Sequence, residues 1–207
     1  AHLSQDEVLV DAFRNGEDIH TRTAVEVFGT HPGMQTGEMR RRAKVINFGI
    51  VYGQTPFGLA KELGIPQREA QEFIRRYFER YHGVKRFINE TIEETRKTQL
   101  TRTLFGRVRQ IPDITSRNPA MRNFAERTAV NSPIQGSAAD LIKLAMIRIH
   151  EKLLHKKLKT RMLLQVHDEL VFDVPKNELA AVEKLVKQEM EQVYELRVPL
   201  RVEIGER

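Results

Sequence analysis

The stretch MRRRAKVINFGIVYG, residues 39–53, decides how the rest of the chain is interpreted. It begins with arginines and a lysine and ends with aromatic residues and glycines. If it forms one helix, residues four apart are neighbours on its surface, which places on one face Arg40, Lys44, Phe48 and Tyr52. At a rise of 1.5 Å per residue, the stripe is about 18 Å long, cationic at one end and aromatic at the other.

Spacing alone leaves two interpretations of this stripe open. A nucleoside triphosphate has the same polarity, because Lys and Arg bind its phosphates and aromatic faces pack against its sugar and base. The commoner pattern is a solvated basic start followed by an apolar end that faces the core. Gly49 and Gly53 favour close approach by another group, since each costs a helix about 1 kcal/mol relative to alanine.

Composition narrows the class of protein. The 207 residues carry 34 Lys and Arg against 28 Asp and Glu, a net charge of +6, which is compatible with a polyanionic partner. The chain has no cysteine, which excludes disulfides and Cys-ligated zinc. No apolar run reaches the roughly 20 residues of a membrane span, so we expect a cytoplasmic protein without a membrane partner. Both ends are abrupt, and we expect a piece of a longer protein.

The order of predicted elements indicates an α+β fold. Helices fill the first half, with Ser4 and Asp18 as predicted caps of the first two, and a hairpin follows near residues 101–112. A long helix from about residue 119 to 154 contains Pro133, which should kink or split it. The remaining predicted elements are strands at 160–166 and 170–174, a helix at 177–194 and a last strand at 198–204.

The segment QVHDELVF, residues 165–172, places polar residues where two apolar runs meet. Asp168 and Glu169 would lie at a hairpin tip, where a turn allows both carboxylates to face one direction. Mg²⁺ takes oxygen ligands and often only one or two carboxylates. An ordinary polar turn and a zinc site at His167 and Asp168 are the alternatives.

The segment NFAERTAVNSPIQGSAADLIK, residues 123–143, carries Arg127, Asn131 and Gln135 every four residues. A guanidinium and two amides along one helical edge suit contacts to bases and sugars in a nucleic-acid groove. Packing of small residues around a proline is the alternative explanation.

These three segments, in this order, resemble the family A DNA polymerases, the bacterial DNA polymerase I-like enzymes. Residues 40–53 resemble the motif Arg-x3-Lys-x3-Phe-x3-Tyr-Gly of that family's fingers helix. QVHDE resembles its third palm motif, and residues 125–143 resemble the helix between the two. DIHT at 18–21 and TLFGR at 103–107 also match, so the resemblance covers essentially the whole chain. It implies a helical fingers subdomain at residues 1–117 and a distal palm at 118–207.

The resemblance also implies a role for each candidate residue. Arg40, Lys44 and His20 would hold the triphosphate of an incoming dNTP, with Lys44 contributing to catalysis. Phe48 would pack against the sugar and base, and Tyr52 would lie near the nascent pair. Asp168 would be a catalytic metal ligand, and Glu169 a supporting carboxylate. Contacts to the minor groove of primer–template DNA would come from Arg127, Asn131, Gln135 and His167.

One departure from the family concerns the metal site. The family's other catalytic aspartate lies on a strand before the segment resembling AHLSQDE, and these residues do not contain it. A two-ion Mg²⁺ site needs carboxylates from both sides, so the chain supplies half and needs the upstream thumb and proximal palm as a partner. We therefore expect a nucleoid-associated DNA polymerase fragment that is inactive alone. A non-catalytic nucleic-acid-binding module is the alternative, and a zinc hydrolase is a more distant one.

Overall fold

The computed structural model describes residues 1–29, 31, 33–34 and 36–205. It divides into two compact units, Ala1–Ile134 and Gln135–Arg207, with the boundary inside a long helix. The division predicted at residue 117, between fingers and palm, is a functional one and stays a prediction. Its last two residues, 206 and 207, lie outside the described part of the chain.

Helices α1 to α6 make up most of the first unit. Side-chain oxygens of Asp6, Asp18, Thr36 and Thr55 accept a hydrogen bond from the backbone N–H three residues later, which satisfies an otherwise unpaired donor at a helix start. The prediction that Ser4 caps the first helix is wrong, because Asp6 does so. The bounds are α1 Glu7–Arg14, α2 Ile19–Phe28, α3 Gly37–Val51, α4 Pro56–Leu63, α5 Gln67–Arg80 and α6 His82–Thr98.

The core of this unit is built from one face of each helix. Val27 of α2, Ile46 of α3, Leu59 of α4 and Phe73 of α5 belong to one buried cluster. In α3 the buried positions recur every three or four residues, as a helix with one face in the core requires. This packing fixes the rotation of α3 and so determines which of its side chains face outward.

The predicted hairpin near residues 101–112 is confirmed. Strands β1 Leu100–Arg102 and β2 Val108–Gln110 pair antiparallel. Thr101 is buried, and its hydroxyl donates a hydrogen bond of 3.1 Å to the carbonyl of Ala129 in the next helix.

That contact explains why Pro133 does not split the long helix. Helix α7, Pro119–His155, continues through Pro133, so the predicted split is wrong. A proline at this position has no N–H for the carbonyl four residues earlier, which is that of Ala129. The hydroxyl of Thr101 supplies the missing donor.

The second unit is the predicted mixture of helix and antiparallel sheet, which confirms the α+β class. Its strands are β3 Arg161–Val166 and β4 Glu169–Asp173, and its last helix is α8 Leu179–Glu191. Apolar residues of α7 and α8 form its core, among them Ala145, Ile149, Leu153, Val182, Leu185 and Val186. The pairing shifts between Met162 and Leu164, so β3 carries one extra residue there.

The strand predicted at 198–204 is absent from the described residues. A strand needs a hydrogen-bonded neighbour, and within that part of the chain β3 pairs only with β4. The segment instead attaches through the backbone N–H of Val202, which donates to Glu191 Oε1 at 3.1 Å. Among the described helices, none is both long and apolar enough to cross a lipid bilayer.

Candidate functional site

The predicted stripe on α3 is exposed along its whole length. Arg40, Lys44, Phe48 and Tyr52 all face outward, while Ile46 and Ile50 are buried on the other side. Phe48 and Tyr52 are each 45% exposed. The interpretation in which the aromatic end faces the core is therefore wrong. Two large aromatic rings left exposed beside cations indicate a binding surface.

The aromatic end of the stripe is ordered by stacking. The Phe48 and Tyr52 rings are nearly parallel, with an interplanar angle of 11° and centroids 6.1 Å apart. The Lys44 ammonium lies 5.9 Å from the Phe48 centroid, and the His20 ring lies 5.8 Å from it. These rings offer a flat apolar face next to a positive charge.

The cationic end of the stripe is held by an aspartate. Arg40 donates from Nη2 to Asp18 Oδ2 at 2.6 Å and from Nε to the same oxygen at 3.1 Å. Partial burial raises the pKa of Asp18, but hydrogen bonds from Arg40 and from the Thr21 N–H outweigh this effect and lower it to about 2. The pair is solvent-exposed, so it orients the guanidinium more than it stabilises the fold.

His20 is positioned from behind by Asn47, which lies on the buried face of α3. The amide nitrogen of Asn47 is 2.9 Å from His20 Nδ1. Burial lowers the pKa of His20, nearby Asp18 opposes this effect, and Arg40 and Lys44 add to it. The structure therefore favours a neutral imidazole beside the stripe at pH 7.

Sequence reasoning missed two of these residues. It treated Asp18 as a helix cap only, although Asp18 also binds Arg40 through its second carboxylate oxygen. It gave Asn47 no role, although a buried amide in the apolar face of a helix needs a polar partner. The amide at position 47, within the apolar face of the predicted helix, was the signal that could have identified this role.

The glycines of the stretch make room for the protein's own side chains. A Cβ on Gly49 would clash with Gln54 Oε1, and one on Gly53 would lie 2.8 Å from Arg127 Cγ. Gly53 also has a φ of +67°, a left-handed conformation that suits glycine. The predicted close approach is therefore real, and the approaching groups belong to this chain.

The groove-facing residues predicted on α7 divide between the two units. Arg127 and Asn131 are half-buried in the first unit, and Gln135 is exposed in the second. The Arg127 guanidinium lies 5.9 Å from the ring of Phe124, which is 63% exposed. Asn131 Oδ1 is buried and has no hydrogen-bond partner among the described residues.

The hairpin between β3 and β4 turns through two residues, His167 and Asp168. His167 has a φ of +53°, and its carbonyl accepts a hydrogen bond from Gln165 Nε2 at 2.8 Å. Glu169 is not in the turn, since it is the first residue of β4 and pairs with Val166. Asp168 and Glu169 are both exposed.

The side chains at this hairpin tip provide some of the oxygen ligands that a hard cation takes. The Asp168 carboxylate is the kind of oxygen ligand that Mg²⁺ takes, and Glu169 is adjacent. In the described residues, no three or more His, Cys, Asp or Glu side chains form a group that could hold a metal ion. The tip therefore offers one or two oxygen ligands, and a magnesium site there would need others.

Comparisons with known proteins identify the family of the chain. The family model described as DNA polymerase family A matches residues 1–206. The chain is 53% identical over 201 residues to DNA polymerase I of Streptococcus pneumoniae (strain ATCC BAA-255 / R6) and 52% identical over 205 residues to that of Bacillus subtilis (strain 168). These alignments cover 97% and 99% of the chain, which spans 23% of the length of each relative.

A solved structure shows the same fold. The POL domain of Pol1 from M. smegmatis, in complex with DNA primer-template and dNTP, matches with a TM-score of 0.93 and 43% identity. The match covers 97% of this chain and 35% of that one. The exposed stripe on α3, the hairpin that carries His167, Asp168 and Glu169, and these matches lead to one conclusion: the chain belongs to DNA polymerase family A.

Proposed function

We propose that this chain is part of a DNA-directed DNA polymerase that transfers nucleotides from dNTP to a primer 3′-hydroxyl. The exposed stripe of α3, with His20 beside it, carries the proposal. The Pol1 domain that shares the fold was solved with primer-template DNA and dNTP, which supports the same partners here. Such an enzyme acts in DNA replication and repair, at the nucleoid in the cytoplasm.

The cationic end of the stripe binds the triphosphate in this proposal. Arg40 offers a forked pair of donors, Lys44 a point charge, and His20 a ring N–H. These groups are already placed on one surface, so little reorganisation is needed as negative charge develops on the leaving pyrophosphate. Preorganised donors of this kind stabilise a transition state more than a ground state.

The aromatic end binds the rest of the nucleotide. Phe48 packs against the sugar and base, and Tyr52 lies next to the nascent base pair. Their stacked rings keep the faces parallel, and their exposure leaves those faces open to a ligand. Primer–template DNA is held in its minor groove by Arg127, Asn131, Gln135 and His167, through guanidinium, amide and imidazole contacts.

Asp168 is the proposed catalytic metal ligand, with Glu169 as a supporting carboxylate. Mg²⁺ bound there as a two-ion pair would activate the primer hydroxyl and neutralise phosphate charge. A carboxylate outside these 207 residues completes the site in our proposal, together with the thumb and proximal palm. The isolated chain should then extend a primer very slowly or not at all, and robust extension by the purified chain would contradict this.

A binding experiment on the 207-residue chain tests the proposal. We expect dNTP to bind in the presence of Mg²⁺, with an affinity that falls about 10- to 100-fold in Lys44→Ala, since a hydrogen bond to a charged group is worth about 1.5–3 kcal/mol. Lys61→Ala is the matched control, because Lys61 is also an exposed helical lysine but lies on α4. DNA binding with no affinity for dNTP would favour the non-catalytic module instead.

A further inference from the structure

Three polar side chains connect His20 to the interior of the first unit. His20 Nδ1 is 2.9 Å from Asn47 Nδ2, and Asn47 Oδ1 is 3.1 Å from the hydroxyl of Thr23. That hydroxyl is in turn 3.3 Å from the hydroxyl of Tyr81. Thr23 and Tyr81 are fully buried, and Asn47 is 8% exposed.

The buried end sets the direction of the hydrogen bonds. Tyr81 has a hydroxyl proton to donate, and Thr23 Oγ1 is its only hydrogen-bond partner in the described part of the chain. A buried donor left without an acceptor is costly, so the Tyr81 hydroxyl donates to Thr23. Thr23 has one hydroxyl proton of its own, and it donates that proton to Asn47 Oδ1.

The direction is then transmitted to the imidazole. Because Asn47 Oδ1 accepts from Thr23, the amide N–H of Asn47 is the group that faces His20 Nδ1. Nδ1 must therefore accept, and it carries no proton. The ring proton is on Nε2, for which the described residues provide no hydrogen-bond partner.

We infer that Tyr81, Thr23 and Asn47 are positioning residues that hold His20 as a neutral imidazole whose Nε2–H donates to a phosphate oxygen of the bound nucleotide. The inference rests on the proposed function for the identity of the ligand. The charged groups that act on His20 are Asp18, Arg40 and Lys44. Only Asp18 favours protonation, and the direction of the pKa shift agrees with a neutral ring.

This arrangement has a consequence for recognition. The positive charge at the phosphate end comes from Arg40 and Lys44, and His20 adds a directional hydrogen bond that does not depend on its own charge. An imidazolium would lose the bond from Asn47, because both of its nitrogens are donors. The buried tyrosine thus selects one tautomer at a surface histidine 61 residues away in the sequence.

The test is the tautomer of His20, measured by ¹⁵N and ¹³C NMR of the histidine ring in the 207-residue chain, with His20→Gln for assignment. We expect Nε2–H to exceed Nδ1–H by about tenfold or more, since the reverse order leaves a buried donor unpaired. In Asn47→Asp, Nδ1 should become protonated, because a carboxylate can only accept a hydrogen bond. A wild-type ring with Nδ1–H, or an unchanged tautomer in Asn47→Asp, would overturn the inference.

A second pair of variants keeps the test valid if Asn47→Asp does not fold. Tyr81→Phe removes only the directing hydroxyl, so the network can run either way and a mixture of tautomers should appear. Tyr77→Phe is the matched control, because Tyr77 packs against Tyr81 with centroids 4.6 Å apart but is not in the network. Equal spectra for wild type and Tyr81→Phe would count against the inference.

Titration with inorganic tripolyphosphate separates this inference from the proposed function. We expect the His20 Nε2 signal to shift on binding in wild type, and the dissociation constant to rise several-fold in Asn47→Asp. Tautomers as expected with no response to tripolyphosphate would overturn the phosphate-binding role while leaving the directed network in place. Tripolyphosphate binding with the ring proton on Nδ1 would overturn the directed network while leaving the phosphate-binding role in place.

Discussion

Arg40 on α3 and His20 beside it each have a partner within their own unit, whereas Asp168 stands exposed at a two-residue turn. Asp18 binds the guanidinium of Arg40, and Asn47 holds the imidazole of His20. Behind Asp168 are β3 and β4, a two-stranded sheet on which Leu163 and Leu164 are 57% and 48% exposed. The two regions carry different parts of the proposed chemistry: Arg40 and His20 are held by polar side chains of their own unit, and Asp168 is exposed to solvent.

This difference predicts that nucleotide binding and catalysis depend to different extents on the rest of the polymerase. A helix face whose side chains are already oriented can bind an anion without further components, because the ordering cost was met when the unit folded. A single exposed carboxylate binds a hard cation weakly until other ligands join it. We therefore expect the α3 face to function in the isolated chain, and the hairpin tip to function only in a complete polymerase.

The largest effect should come from Asp168→Ala in a full polymerase that carries this chain. We expect the rate of nucleotide addition to fall at least about 10²–10³-fold, which is typical when a group that stabilises transition-state charge is removed. Asp173→Ala is the control, since Asp173 lies on the same hairpin but pairs with Arg161. Single-turnover kinetics measure both, and comparable rates in the two variants would show that Asp168 is not a catalytic metal ligand.

Arg40→Ala should have the next largest effect, on nucleotide affinity. Loss of its charged hydrogen bonds should weaken triphosphate binding by the isolated chain about 10- to 100-fold. Arg41→Ala should change it little, because Arg41 points elsewhere on α3 and pairs with Glu38. Calorimetric titration of the two variants distinguishes a specific site from general positive charge, and equal losses would indicate the latter.

Gly53→Ala tests the support at the aromatic end of α3. Gly64→Ala imposes the same backbone strain, because Gly64 has a φ of +65°, but nothing lies within 4 Å of its added Cβ. A non-glycine residue in this conformation costs about 1–2 kcal/mol. Gly53→Ala should cost more, since Arg127 must also move. Urea denaturation measures both variants, and equal losses would show that Arg127 adjusts freely.

The smallest effect should come from Asp18→Asn, which keeps a helix cap but removes the charge that competes with phosphate for Arg40. We expect tripolyphosphate to bind about two- to fivefold more tightly, because binding no longer has to break the exposed ion pair between Asp18 and Arg40. Weaker binding would mean that Asp18 orients Arg40 more than it competes.

Asp18→Asn should also change how the stability of the fold depends on pH. The folded pKa of Asp18, about 2, lies below its ordinary value of 3.8, so the carboxylate contributes stability that is present above pH 4 and is lost between about pH 4 and pH 2. Asp18→Asn should remove this contribution to acid unfolding. Circular dichroism across that range measures it, and an unchanged acid transition would show that the pair does not stabilise the fold.

The spacing of residues 39–53 was sufficient to predict a helix and the set of side chains on one face of it. It could not show whether that face meets solvent or the core, because both patterns contain aromatic residues at the same interval. Burial of Ile46 and Ile50 decided the question. The hairpin near 101–112 and the strands around QVHDE were predictable for a related reason, since their alternation and turn residues are local.

Two predictions failed because their outcome depends on residues distant in sequence, which local rules do not take into account. Pro133 was expected to kink or split α7; the helix does not split, and the Thr101 hydroxyl supplies the hydrogen bond that the Ala129 carbonyl would otherwise lack. The apolar run at 198–204 was expected to form a strand, but strand formation depends on a pairing partner and not on composition alone.

The pattern of residues along the chain was enough to identify the family, the type of most elements and the side chains for which we propose nucleotide binding. Tertiary structure alone decided that Asp18 binds Arg40 and that Tyr81, through Thr23 and Asn47, directs His20. The physical reason is that helix periodicity and turn preference act within a few residues, whereas the direction of a buried hydrogen bond depends on which groups the folded core brings within about 3 Å of each other.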